Sequence, residues 1–137
     1  MNILFTPFCF NLMFLSFLLS SCGNSFTIES KSTKSKIQNE YNCSSVHYSI
    51  DYSLKENLVV IDLCGCSKEL NIDSTPKHED LIKQIGEKAY NECVKKNALK
   101  GVLVKVSKDS THSKMRYYKY KLDDKKSLIL EEDSGIR

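Results

Sequence analysis

No lysine, arginine, aspartate or glutamate occurs between Met1 and Ile28. A stretch without charge does not belong on the surface of a soluble domain, so these residues are set apart from whatever folds downstream. The chain also lacks the charge imbalance of a nucleic-acid binder. Its formal net charge is +3, and residues 29–100 carry acidic and basic groups in equal number, so nucleic acid is not an expected partner. The positive excess gathers at Lys114, Arg116, Lys119, Lys121, Lys125 and Lys126, where lysines fit an edge strand shielded against pairing with a second sheet. A glycine-rich phosphate loop, a serine nucleophile elbow and a His-Glu-x-x-His helix are all missing. His47, His78 and His112 are scattered over an expected strand, helix start and loop and read as surface residues. The acidic pairs Asp123–Asp124 and Glu131–Glu132 adjoin a turn and a terminus, where solvation accounts for them. The expectation is a protein that is not an enzyme and uses no cofactor or metal. There is no internal repeat.

What is present begins with an apolar run from Ile3 to Leu19, interrupted by Thr6, Pro7, Asn11 and Ser16. That is the length of a signal-peptide core and the short end of a membrane span. It leads into Leu19-Ser20-Ser21-Cys22-Gly23, which resembles the lipobox of bacterial lipoproteins: a branched apolar residue, two small residues, then cysteine. The resemblance implies a signal peptide over 1–21 that is removed, and a diacylglyceryl group on the sulfur of Cys22. It also implies a cell-envelope protein whose contact with the membrane runs through that lipid. At about 0.8 kcal/mol per buried methylene, two or three acyl chains make such an anchor durable. Gly23 is not the aspartate that retains lipoproteins in the inner membrane of enteric bacteria, so an outer-membrane location is favoured where the cell has one.

Residues 22–42 then read as a lipidated N-terminus and flexible tether. They are rich in Ser, Thr, Lys, Asn and Glu, with Phe26, Ile28, Ile37 and Tyr41 as the apolar exceptions. A single small domain is expected over 43–131, with 132–137 frayed. Val46, Tyr48, Ile50, Tyr52 and Leu54 alternate with polar residues, as in a half-buried strand. A turn at Lys55-Glu56-Asn57 returns the chain as a second strand over Leu58–Cys66, placing Leu58, Val60, Cys64 and Cys66 on one face with Tyr48 and Val46. Asp62 resists that register, because it would point the same way. A helix follows, with Thr75 as N-cap, Pro76 in its first turn, and a stripe of Leu81, Ile82, Ile85, Ala89 and Cys93. Val102–Val106, Met115–Leu122 and Leu128–Leu130 complete a ββαβββ order, an α+β fold with one helix packed on an antiparallel or mixed sheet.

Besides Cys22, four cysteines remain after the leader: Cys43, Cys64, Cys66 and Cys93. In an oxidising envelope they suggest disulfides. Extended backbone splays Cys64 from Cys66, and the expected register favours Cys43 with Cys66 and Cys64 with Cys93. The alternative is a thiol-redox or metal-binding module centred on Cys64 and Cys66, with His47 or His78 as a further ligand. The leading expectation is a non-catalytic module that binds another protein. Its candidate surfaces are the apolar stripe Val59, Ile61 and Leu63 and the basic aromatic strand carrying Arg116, Tyr118 and Tyr120.

Overall fold

The computed structural model describes residues 31–51, 56–93 and 96–135. The expected leader over 1–21, the expected lipidation position Cys22 and the first part of the expected tether lie outside them.

Two helices and five strands follow in the order α1 (Lys31–Glu40), β1 (Ser45–Asp51), β2 (Leu58–Cys64), α2 (Glu79–Glu92), β3 (Gly101–Ser107), β4 (Met115–Leu122) and β5 (Leu128–Asp133). The strands form one sheet in sequence order, β1-β2-β3-β4-β5. Every neighbouring pair is antiparallel except β2 with β3. A parallel pair needs a crossover from one end of the sheet to the other, and the segment carrying α2 supplies it. The result is the α+β domain expected, a mixed sheet with helices packed on it. β3 is central, as its valines require: Val102, Val104 and Val106 are wholly enclosed.

The first hairpin differs from expectation in register. Val46 lies opposite Leu63, Tyr48 opposite Ile61 and Ile50 opposite Val59, and Asp51 already pairs with Leu58. Leu58 therefore pairs with Asp51 and not with Leu54, as the expected turn at 55–57 required. Relative to the expected pairing the strands have slid by an odd number of residues, and such a slide exchanges the two faces of a strand. The exchange has an energetic reason. It sends Val59, Ile61 and Leu63, each 0% exposed, beneath the helices, where full burial of such a side chain is worth about 1.5–3 kcal/mol. It also turns Asp62 to the opposite face, away from a core in which an unpaired carboxylate would be costly.

The core joins that β2 stripe to Val46, Val102, Val104, Val106, Tyr118, Tyr120 and Leu128 of the sheet and to Ile82, Ile85 and Ala89 of α2. α2 packs on the sheet at Gly86, where a Cβ would lie 3.4 Å from both Leu128 and Val102, at van der Waals contact. At the start of β3, a Cβ on Gly101 would come within 2.1 Å of the Tyr120 carbonyl oxygen, so the β3–β4 pairing demands glycine at that point.

Two local expectations are corrected. The tether is not flexible throughout, because residues from Lys31 form α1. Its Ile37 is 5% exposed and joins the core beside Val46 and Cys66. A polar composition hid this helix, which gains order from tertiary contact rather than from its own apolar content. Thr33 Oγ1 donates to Glu92 Oε1 of α2 at 2.5 Å, and the Gln38 side chain donates to the Ser44 carbonyl at 3.2 Å. Thr75 does not cap α2 either. It is buried in a 3-10 turn, Thr75–Lys77, with its hydroxyl donating to Ile72 O at 3.2 Å, and α2 starts after His78. Pro76 belongs to that turn, while Glu79 and Asp80 do occupy the first turn of α2, where the helix dipole favours acids.

Candidate functional site

The face of the sheet opposite the core is lined along β2 by Leu58, Val60, Asp62 and Cys64 and along β3 by Leu103, Lys105 and Ser107. Residues two apart on a strand share a face, so Asp62 and Cys64 stand together, with Ser107 beside Cys64 and exposed His47 of β1 opposite Asp62. Cys64 is 2% exposed. Its thiol donates to Asp62 Oδ1 at 3.4 Å, and the Ser107 hydroxyl donates to its sulfur at 3.1 Å.

The loop between β3 and β4 adds a fourth group. Lys108 N donates to Lys114 O at 3.0 Å to close it, and Asp109 organises its interior. The Asp109 carboxylate accepts from Thr111 N at 3.0 Å and from the Ser113 hydroxyl at 2.9 Å, with the Thr111 hydroxyl as a further donor. Those hydroxyl donors, Thr111 first, hold the Asp109 carboxyl down at about 2. The loop places His112 at φ 56°, left-handed backbone that side chains with a Cβ adopt at a cost. From there the ring turns back to the sheet, with Nε2 2.9 Å from Asp62 Oδ2. One donor atom each from Asp62, Cys64 and His112 then lies within 4.8 Å of the others.

Both the thiol and the imidazole are hydrogen-bonded to the same carboxylate. Asp62, Cys64 and His112 are the cluster in which a metal could sit.

The cysteine pairing is partly as expected. Cys43 and Cys66 are joined as a disulfide. Gly65, at φ +57°, makes the turn between β2 and Cys66, and a Cβ there would lie 2.5 Å from the Ser44 hydroxyl. Cys64 and Cys93 are corrected: both are free and buried. Cys93 closes α2 inside the core, its sulfur donating to Ala89 O at 3.3 Å. Cys64 lies on the other face of the sheet, so the sheet itself separates them. Burial first, and then neighbouring Glu92, raise the Cys93 pKa, leaving a protonated, unreactive thiol. Cys66 is bonded to Cys43, so Cys64 and Cys66 do not stand as a pair of free thiols.

The expected binding surfaces are also redistributed. Val59, Ile61 and Leu63 are enclosed under the helices, and Tyr118 and Tyr120 are 0% exposed on that same inner face. Arg116 is partly exposed. It pairs with Asp133 and lies over the Tyr118 ring at 5.4 Å. Neither group therefore offers an outward apolar or aromatic surface. His78 precedes α2, remote in the chain from the cluster on the opposite face. His112, read from sequence as a surface residue, and Asp62, read only as a residue that resists the register, are the members that sequence reasoning missed. The available signal was Asp62, a carboxylate in an otherwise apolar strand.

Among the described residues no helix is long and apolar enough to cross a membrane. No protein family, curated protein or solved structure matches the chain.

Proposed function

We propose that this chain is a lipid-anchored protein of the bacterial cell envelope, held to the membrane through Cys22, whose domain is a non-catalytic module that binds another protein. The observation that carries the reading is the Cys43–Cys66 disulfide. Such bonds persist in exported proteins and are rare where thiols are kept reduced, and an exported chain is what the lipobox-like Leu19-Ser20-Ser21-Cys22 implies. Because α1 begins at Lys31, only residues 23–30 separate the anchor from the domain. They reach at most about 28 Å when fully extended. The domain would then work close to the headgroups, or on the outer membrane surface where the cell has one.

The partner-binding surface we favour is the sheet face opposite the core, where His47 and Lys121 are exposed. Radiolabelled palmitate should enter the native protein and not Cys22→Ala, which should also leave the membrane fraction. A photo-crosslinking residue at position 47 or 121 should capture a discrete partner in cells, whereas one at Gln84 or Lys88 on the exposed side of α2 should not. Absence of palmitate incorporation overturns the anchor. Equal capture from both faces overturns the assigned surface.

A further inference from the structure

We propose that Asp62, Cys64 and His112 form a zinc site with an open coordination position, a role independent of how the chain is anchored. The donor set is the first argument. One thiolate sulfur, one imidazole nitrogen and one carboxylate oxygen suit a borderline cation such as Zn²⁺, whereas Ca²⁺ and Mg²⁺ take oxygen and Cu⁺ favours sulfur.

Spacing is the second argument. Around a tetrahedral zinc, with bonds of about 2.0–2.3 Å, ligand atoms lie about 3.3–3.6 Å apart. The Cys64 sulfur already stands 3.4 Å from Asp62 Oδ1, and His112 Nε2 stands 2.9 Å from Asp62 Oδ2. All three donor atoms lie within 4.8 Å of one another, so the Asp62 and His112 side chains need only draw in around the ion to seat it.

The chemistry of the metal-free cluster is the third. The Cys64 thiol and the His112 imidazole are both hydrogen-bonded to the one Asp62 carboxylate. A dication would neutralise thiolate and carboxylate together. On binding, the Cys64 sulfur–hydrogen bond breaks, its electron pair goes to zinc and the proton leaves to solvent. Nε2 of His112 becomes the ligand through its lone pair, a proton carried there passing to solvent or to Nδ1. The Ser107 hydroxyl, already directed at the sulfur, would support the thiolate as outer partners of metal ligands do.

Access completes the case. Cys64 is enclosed, but the Asp62 and His112 side chains are 23% and 40% exposed, so zinc can enter from the His112 side and one position faces water. The Asp109-centred loop holds His112 in its strained backbone conformation over this opening.

The test uses the full-length protein in detergent, stripped with chelator and titrated with Co²⁺ and then Zn²⁺. Co²⁺ should produce a thiolate-to-cobalt absorption band that Zn²⁺ removes. Cys64→Ser should abolish the band, and Cys93→Ser should leave it intact. His112→Ala, at an exposed side chain where folding is not at stake, should weaken Zn²⁺ binding by about 10-fold or more, as should Asp62→Asn. Calorimetry in buffers of differing ionisation heat should find about one proton released per zinc. No cobalt–thiolate band in the native chain, or His112→Ala binding Zn²⁺ as the native protein does, would overturn the site. So would a band that survives Cys64→Ser.

Discussion

Opening the Cys43–Cys66 bond is the sharpest single perturbation of this fold. The two residues are 23 apart in sequence. In the chain-entropy treatment, a loop of that length constrains the unfolded chain by about 3.4 kcal/mol at 25 °C. A domain of this size is stable by roughly 5–15 kcal/mol, so the bond accounts for a large share. The loss should be felt first at α1. Tyr41 leads directly into the disulfide, with its carbonyl accepting from Ser67 N at 2.9 Å and from the Ser67 hydroxyl at 3.1 Å. Ile37 is the main apolar anchor of the helix. Urea unfolding of Cys43→Ala/Cys66→Ala should show about 3 kcal/mol lower stability with an unchanged core spectrum, and hydrogen exchange should report α1 opening before the sheet. In the native protein, Cys64 and Cys93 should alkylate on unfolding alone, and Cys43 and Cys66 only after reduction. Equal stability with and without the bond, or a Cys64–Cys93 crosslink in peptide mapping, would refute the reasoning.

Other consequences follow from particular contacts. Gly101→Ala drives a methyl group into the Tyr120 carbonyl, 2.1 Å away, and backbone can yield only by disturbing the β3–β4 pairing. Thermal unfolding should show a loss of about 1–3 kcal/mol or more. Tyr120→Phe should do the reverse, because the Tyr120 hydroxyl is buried without a hydrogen-bond partner among the described residues. Denaturant titration should find stability unchanged or raised by about 1 kcal/mol. Asp109 gives a pH dependence. Its folded pKa is depressed to about 2 from 3.8, so its contribution is complete above 3.8 and disappears as pH falls through about 2. The amide chemical shifts of Thr111 and Ser113 should stay native-like to pH 4 and change together below it, whereas a change centred on pH 4 or above would contradict the loop's organisation.

Much of the fold was legible because short-range periodicity carries it. The alternation in β1, the valines of β3 and the four-residue recurrence in α2 each reflect a side chain's distance from the core, which repeats with the local geometry. β4 is found over the residues expected, Met115–Leu122. α1 was hidden because its order depends on packing Ile37 into a core built by distant segments and on a disulfide closed from one of them, neither of which leaves a periodic trace. Register was misplaced for a related reason. Sliding β1 along β2 leaves each strand's own alternation intact, so Val59, Ile61 and Leu63 looked like an outward stripe until Asp62 is required to face water.

The sequence by itself determined the character of each segment: an uncharged, mostly apolar run ending at a small-residue cysteine motif, an amphipathic helix, and strands of alternating or wholly apolar residues. These depend on neighbours within a few positions, where hydrophobic spacing and charge act directly. Only the tertiary structure decided which cysteines meet, which face of β2 turns inward, and that His112 returns from a loop to Asp62 across 50 positions of chain. Such meetings depend on strand register and on loops closing over the sheet. No local pattern of residue types encodes a distance between segments so far apart.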